Sequence, residues 1–271
     1  MIGILERFRR WRRARRLDAV AVSDEMWARA EARLPFLDYL EAEHRPRLRE
    51  LARAFIAEKQ FYGAHGFALT DEVIVTIALQ ACLPVLRIGL RPYRGWVGVI
   101  IYPGDFVIPR KIMDETGVVH EYDDEVLGEA WEGGPVVVSW HDEAEVPERV
   151  NVVIHEFAHK LDMENGEVDG LPLLPAGMSR KAWAEAFSAG YEHFCRQVDA
   201  HEETALDPYG SESPGEFFAV ASEAFFEAPC LLQEDFPAIY QQLRQFYGAD
   251  PAAGERRVYG EPPQDAGVES P

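Results

Sequence analysis

Cysteine is scarce in this sequence, which has only Cys82, Cys195 and Cys230 among its 271 residues. An odd, sparse set without a CxxC pair is typical of proteins from a reducing compartment. The sequence therefore offers no zinc site built on cysteine. We expect all three thiols to lie in or near the core.

Long apolar runs and an excess of basic residues are also missing. No stretch reaches the ~18 apolar residues of a membrane span, and no signal-peptide-like apolar run follows the charged start. Lysine and arginine number 27 against 47 acidic residues, and the net charge of −20 argues against direct nucleic-acid binding, which needs a basic surface. We therefore expect a soluble, cytoplasmic protein without a transmembrane segment.

The charge is distributed unevenly along the chain. Residues 1–18 hold seven arginines against two acidic residues. This basic segment is interpreted either as a solvated helix packed through its few apolar side chains or as a helix that docks on an acidic partner or an anionic membrane. We expect residues 19–249 to form a single domain. Residues 250–271, rich in proline, glycine and charge, are expected to be a mobile tail.

The sequence predicts helices first, then strands, then helices again. Helices are predicted at 24–34, capped by Ser23, at 47–60, and at 73–83, capped by Thr70. Short segments rich in β-branched and aromatic residues predict strands at 97–102, 106–108, 117–121 and 135–140. The C-terminal helices are predicted at 148–163, 179–199, 214–228 and 236–247. This order indicates an α+β fold with a helical N-terminal part and a small central β-sheet.

The helix predicted at 148–163 carries the pattern H-E-x-x-H. His155 and His159 are four residues apart, so a helix places both imidazoles on one face, where they can bind one metal ion. Glu156 lies about 100° around the helix and can reach a metal-bound water without being a ligand. The alternative is a core helix with two hydrogen-bonded histidines, but the almost wholly apolar surroundings favour a buried active site.

A catalytic zinc needs a third protein ligand and an open position. Asn165, ten residues after His155, is a poor ligand, and Asp162 is better suited to contact a histidine or to end the helix. The helix at 214–228 carries Glu216 and Glu223 on one side. Glu216 also fits a capping box that begins at Ser213, so the residues alone do not decide between the two glutamates.

The segment HEFAHKLD, followed by a helix that starts GEFFAVASEAFF, resembles the Mlc titration factor A family of cytosolic zinc peptidases. The similarity runs from about residue 30 to 250 and includes 82–86 and 100–107. The second segment also resembles the catalytic domain of anthrax lethal factor. The resemblance implies a zincin-like fold whose active-site helix packs with the C-terminal helices. It also implies one Zn²⁺ held by the ligands His155, His159 and Glu216.

The resemblance further implies roles for three other residues. Glu156 is expected to act as the general base, Tyr209 to face the substrate and stabilise the oxyanion, and Glu223 to support a histidine or pack the helix. The resemblance also suggests aminopeptidase-like hydrolysis of short peptides. The alternative is a regulatory protein that sequesters a transcriptional repressor, because family members bind the repressor Mlc. That partner rests on the resemblance alone.

Three further interpretations concern the surroundings of the site. The strand at 135–140 is either an edge strand that pairs with extended substrate or a buried strand. The loop at 172–178 is a candidate gate because it contains proline and glycine. The remaining histidines are expected to be surface or structural residues: His44, His65, His120, His141, His193 and His201.

Overall fold

The computed structural model describes residues 20–104, 106–113, 119–126, 128–131, 133–141 and 151–260. For residues 106–113 and 119–126, the description is limited to the backbone. The predictions for residues 1–18 and for 261–271 lie outside this part. Helices come first along the chain, with one short strand among them, and the remaining strands and then further helices follow. The predicted α+β fold is therefore confirmed.

Three helices form the N-terminal part: α1 (Asp24–Ala32), α2 (His44–Glu58) and α3 (Asp71–Cys82). The side chains of Ser23 and Thr70 accept hydrogen bonds from backbone N–H groups in the first turns of α1 and α3, as their capping patterns predict. Helix α3 is buried at almost every position. Helix α2 ends before the predicted residue 60, because the chain turns there into a strand.

The central sheet has four strands in the order β1-β2-β6-β5. They are β1 (Gln60–Gly63), β2 (Gly98–Pro103), β5 (Gly128–Ala130) and β6 (Val136–Trp140), while β3 (Phe106–Met113) and β4 (Val119–Val126) form a separate antiparallel pair. Strands β1, β2 and β6 are parallel, and β5 is antiparallel to β6. Val99 on β2 pairs with Val136 on β6, and both are fully buried.

Of the two interpretations of the strand at 135–140, the structure supports the buried strand and not the edge strand. β6 lies between β2 and β5, and its first four residues are buried. The sheet edge on this side is β5 instead. Three residues are too few for the alternating pattern that identifies a strand in a sequence, which is why β5 was not predicted.

Six helices follow the sheet in the described part: α4 (Val152–Asp162), α5 (Arg180–Asp199), α6 (Pro214–Glu227), α7 (Pro229–Asp235), α8 (Pro237–Tyr247) and α9 (Pro251–Tyr259). Proline opens α6, α7, α8 and α9, where its missing N–H is not needed. The expectation of a mobile tail is wrong for residues 251–259, because they form α9. Its residues Pro251 and Ala252 are buried. α9 packs against the 3-10 turn at Pro35–Tyr39. No described helix is long and apolar enough to cross a membrane.

Helices α4 and α6 are held by two aromatic clusters. Phe157 of α4 lies 5.5 Å from the Phe55 ring and 5.0 Å from the Tyr93 ring, measured between centroids. Phe217 of α6 stacks on Phe194 of α5 at 5.4 Å. Buried aromatic pairs of this kind contribute about 0.5–1.5 kcal/mol beyond their buried area. The two helices that carry the predicted ligands are therefore anchored on the core.

Candidate metal centre

The structure brings His155, His159 and Glu216 together from two helices. The Nε2 atoms of His155 and His159 lie 3.1 Å apart. Oε2 of Glu216 lies 2.9 Å from Nε2 of His155 and 3.2 Å from Nε2 of His159. Among the described residues whose side chains could hold a metal ion together, these three form the more buried group.

These distances fit a metal ion. Zinc bound tetrahedrally at about 2.0–2.1 Å separates its ligand atoms by roughly 3.3 Å, close to the spacing of the two imidazole nitrogens and the carboxylate oxygen. Three electron-pair donors this close together repel one another unless a cation lies between them. The donor set of two nitrogens and one oxygen, without sulfur, suits zinc and similar transition metals.

The first turn of α6 positions Glu216. The hydroxyl of Ser213 accepts a hydrogen bond from the backbone N–H of Glu216 at 3.1 Å, so the helix-capping half of the predicted box is present. The Glu216 carboxylate points to the two histidines. Capping and metal binding therefore use different groups of the same residue, and the capping interpretation does not compete with the ligand interpretation.

The electrostatics of the cluster favour a positive charge. Burial disfavours the charged form of His155, but the Glu223 and Glu216 carboxylates outweigh it and hold its pKa well above the usual range. Burial likewise acts to raise the pKa of Glu216, but hydrogen bonds from His155 and His159 hold it well below the usual range. A bound metal ion would supply the same positive charge as the histidine protons.

Glu223 contacts the other nitrogen of His155. Its Oε1 lies 2.6 Å from Nδ1 of His155, and its Oε2 accepts the backbone N–H of Asn151 at 2.6 Å. Because a carboxylate acts as the acceptor, Nδ1 carries a proton. When a metal ion takes the place of the proton on Nε2, the lone pair of Nε2 can point at that ion. Glu216 is thus the glutamate at the candidate ligand position, and Glu223 supports His155.

Glu156 lies on the same helix but is almost completely enclosed, with 4% of its surface exposed. Burial raises its pKa to about 8, and the nearby positive charge of His155 acts in the opposite direction. A Cβ atom at Gly128 of β5 would lie only 2.4 Å from Oε1 of Glu156. The missing side chain at position 128 therefore gives the Glu156 carboxyl group its space.

Tyr209 stands beside the cluster at the solvent side. Its ring centroid is 6.0 Å from that of His155, and 45% of the residue is exposed. The 3-10 turn Pro208–Ser211 holds it, because the Asp207 side chain accepts the backbone N–H of Tyr209. This places a phenol at the open side of the candidate metal centre.

The hairpin between β5 and β6 is fixed to the active-site helix by Lys160. Its buried ammonium group donates to the carbonyl oxygens of Trp131 and Gly134. Burial lowers the pKa of Lys160 to about 8. The hydrogen bonds hold the edge strand β5 next to α4, on which the two histidines lie.

The other candidate residues have structural contacts. Asp162 is fully buried and accepts the backbone N–H of Gly170 at 2.8 Å, and burial raises its pKa to about 7. Asn165 donates to the Leu171 carbonyl at 2.7 Å. Both residues therefore shape the loop after α4. Of the histidines expected to be surface or structural residues, three are exposed and two are partly buried, and the side chain of His120 lies outside the described part: the exposed ones are His65, His193 and His201, and the partly buried ones are His44 and His141.

Two residues at the site were not predicted, although the sequence held a signal for each. Asn151 precedes the apolar run of α4, which is where a capping residue is expected. Glu227 is four residues after Glu223 and so lies on the same face of α6. Gly128 had no such signal, because its contact with Glu156 depends on the tertiary fold.

Known proteins resemble this chain over most of its length. The model of the family "Glucose-regulated metallo-peptidase M90" matches residues 8–248. Mlc titration factor A of Escherichia fergusonii is 38% identical over 238 residues, which cover 86% of this chain and 88% of that protein. Mlc titration factor A of Salmonella choleraesuis is 36% identical over 234 residues, covering 84% and 88%. The uncharacterized protein slr2042 of Synechocystis sp. is 38% identical over 225 residues, covering 81% and 82%.

These matches include both helices of the candidate metal centre, and they confirm the resemblance that the two motif segments indicate. The chain belongs to the family of glucose-regulated metallo-peptidases M90.

Proposed function

We propose that this chain is a zinc-dependent peptidase in which His155, His159 and Glu216 hold one Zn²⁺ and Glu156 is the general base. The observation that carries the proposal is the close approach of three ligand atoms, all within 4.8 Å, beside a buried carboxyl group. Two imidazoles and one carboxylate are a common ligand set of catalytic zinc, which keeps a further position open. A structural zinc site normally has four protein ligands.

When bound, zinc supplies a Lewis acid that lowers the pKa of a bound water toward ~7 and polarises the scissile carbonyl. Glu156 accepts the proton of the attacking water and passes it to the leaving amine. Burial raises the pKa of Glu156 to about 8. A divalent cation bound nearby would favour the ionised form, in which the carboxylate can act as a base.

Tyr209 is assigned the stabilisation of the oxyanion. Its ring lies next to His155 on the open side of the cluster, so its hydroxyl group can donate a hydrogen bond to the negative charge that develops on the carbonyl oxygen. The alternative, a surface aromatic without a catalytic role, predicts no change when the hydroxyl group is removed.

The backbone of the peptide substrate is expected to bind along the outer edge of β5. β5 and β6 both pack against α4, and within the described residues β5 pairs with β6 alone, so its other edge is open there. An extended peptide can add to such an edge through main-chain hydrogen bonds. The resemblance to family members favours short peptides and aminopeptidase-like cleavage. The three free thiols favour a cytoplasmic location.

Replacing Glu156 with glutamine tests the assignment. The E156Q protein should bind as much zinc as the wild type, because Glu156 is not a ligand, and its kcat should fall by about 10²–10⁴-fold. Zinc content is measured by elemental mass spectrometry, and turnover by cleavage of a peptide library. Glu167→Gln, at an exposed position after α4, is the matched control and should retain full activity. Peptide cleavage by E156Q at the wild-type rate would contradict the role of Glu156 as the general base.

The name of the relatives favours a second candidate function. Mlc titration factor A is named for titrating Mlc, so this chain is a candidate for binding a transcriptional regulator. Binding of purified Mlc, measured by calorimetry, tests this directly. Equal affinity of the wild type and E156Q would place regulator binding outside the peptidase chemistry, and no binding by either protein would contradict this function.

A further inference from the structure

Asn151 caps α4 with one hydrogen bond and joins the start of α4 to α6 through two others. Its side-chain oxygen caps α4 by accepting the N–H of Ile154 at 2.9 Å. Its backbone N–H donates to Oε2 of Glu223 at 2.6 Å, and its side-chain amide donates to Oε1 of Glu227 at 2.6 Å. We call Asn151, Glu223 and Glu227 the Asn151 clamp.

The clamp continues the geometry of the metal centre along both helices. On α4, Asn151, His155 and His159 follow one another at intervals of four residues and therefore lie on one face. The partner residues on α6 run in the opposite direction. Glu227 contacts Asn151, Glu223 contacts both Asn151 and His155, and Glu216 contacts both histidines. The two helices thus form one polar contact line that ends at the metal ligands.

Hydrogen bonds are well suited to set the geometry here. Asn151 and Glu223 are 7% and 5% exposed, so each of their polar groups needs a partner. A cavity of about 350 Å³ borders all three clamp residues, and its walls include Leu34 and Phe36. The described side chains leave this space beside Asn151 unfilled, and the hydrogen bonds of the clamp connect the two helices there.

We propose that Asn151 and Glu227 are positioning residues of the metal centre. The positioning role rests on the proposed function in one respect: the metal ion is taken to be Zn²⁺. Glu227 fixes which way the Asn151 amide points, and Asn151 holds Glu223 through its backbone N–H. Glu223 keeps the proton on Nδ1 of His155, so that Nε2 presents its lone pair to the metal.

The test compares zinc affinity among clamp variants. Asn151→Ser keeps a capping oxygen but loses the donor to Glu227, Glu227→Ala removes the acceptor, and Glu227→Gln retains an acceptor. Ser179→Ala is the control, because it removes the cap of α5, where the Ser179 side chain accepts the N–H of Ala182. The dissociation constant for Zn²⁺ is measured by competition with a chromophoric chelator. The visible absorption of the Co²⁺-loaded protein reports the ligand geometry.

We expect N151S and E227A each to weaken Zn²⁺ binding about tenfold and to shift the Co²⁺ absorption bands. The double variant should be little weaker than either single variant, because both changes break one connected contact. E227Q should stay within about twofold of the wild type. S179A should lower the melting temperature of the metal-free protein without changing zinc affinity or the Co²⁺ spectrum.

Either of two results would overturn the proposal. In the first, N151S and E227A have the same zinc affinity and Co²⁺ spectrum as the control S179A. In the second, the losses of zinc affinity in N151S and E227A add up in the double variant. If E227A does not fold, the comparison of N151S with S179A decides. A wild-type protein that binds zinc but cleaves no peptide contradicts the proposed function, while the affinities still test the clamp. A wild-type protein that binds no zinc overturns both.

Discussion

The carboxyl group of Glu156 lies where a side chain at position 128 would have to be. A Cβ atom there would approach Glu156 Oε1, Cγ and Cδ to 2.4, 2.6 and 2.7 Å. We predict that Gly128→Ala displaces the carboxyl group and lowers kcat about 10–100-fold, because catalysis is sensitive to shifts of about 1 Å. Peptide turnover and zinc content are measured together, and zinc content should not change.

A matched substitution separates this effect from a general loss of packing. A Cβ atom at Gly190 on α5 would lie 2.4 Å from Cδ1 of Ile239, which is a similar clash without an active-site residue. Gly190→Ala should lower the melting temperature and leave the kcat of the folded fraction unchanged. Equal kcat losses in both variants would contradict the role of Gly128.

The hydroxyl group of Tyr209 provides a second test on a single side chain. Tyr209→Phe keeps the ring that lies 6.0 Å from the His155 ring and removes only the hydroxyl group. We expect kcat to fall about 10²–10³-fold while KM changes little, since an oxyanion donor acts mainly in the transition state. Steady-state kinetics on one peptide measure both constants. An unchanged kcat would leave Tyr209 as a surface aromatic.

At the scale of elements, two of the three glutamates of α6, Glu223 and Glu227, accept different hydrogen bonds from the start of α4. Glu223 accepts two hydrogen bonds from α4. Glu227 accepts one from Asn151, and its burial raises its pKa to about 7. Because this pKa is higher in the folded protein than in the unfolded chain, folding favours the protonated form. The stabilisation is complete below the unfolded pKa of about 4.5 and is lost as the pH rises through about 7.

Glu227→Gln should therefore change how stability depends on pH. The free energy of unfolding of E227Q, minus that of the wild type, should rise by roughly 1–2 kcal/mol between pH 4.5 and 8. Urea unfolding at several pH values, with saturating zinc at each, measures this difference. Glu234→Gln, at an exposed position on α7, is the control and should show a flat difference. A flat difference for E227Q as well would contradict the assigned burial effect.

Most helices could be predicted because their signals are local. Ser23, Thr70 and the H-E-x-x-H pattern act within one or two turns, and the structure has helices at each of them. The strands β1 and β5 were missed because they are four and three residues long. The sequence also left open whether the strand at 135–140 is an edge strand or a buried one, since this depends on which strands pair across the fold.

At the candidate site too, the residues set by local spacing could be predicted, and those set by contacts between distant parts of the chain could not. The two histidines and Glu156 followed from their spacing, whereas the choice of Glu216 over Glu223 came from the family resemblance. The clamp residue Glu227 lies 76 residues from Asn151 in sequence, and Gly128 approaches Glu156 only through the packing of β5 on α4. Helical periodicity places Glu227 on the same face as Glu223, but it does not show which residue of another element either side chain contacts.

At the scale of the whole molecule, a bound metal ion would link α4 and α6. Several carboxylates converge on this point, and Glu216 and Glu223 both act to raise the pKa of Glu156. A cation that binds only the folded state stabilises it by about 2.7 kcal/mol at a concentration of 100 Kd. We expect zinc at that level to raise the melting temperature of the metal-free protein by about 5–10 °C.

Calorimetry of the metal-free protein with and without zinc measures this shift. E156Q should show the same shift as the wild type, because it retains the three candidate ligands. His159→Ala should lose most of the shift, because it removes one ligand. A shift in H159A as large as in the wild type would mean that zinc binds elsewhere on the chain.

The spacing of the three ligands also has a consequence for the order of events in folding. His155 and His159 are neighbours as soon as one helical turn forms, whereas Glu216 is 57 residues from His159 and arrives only after a long loop has closed. Forming the first turn is the slow and unfavourable step of helix growth. An ion held by the two imidazoles would make α4 persist as a nucleus until α6 docks. Zinc supply during synthesis would then influence the yield of folded protein, in addition to its later activity.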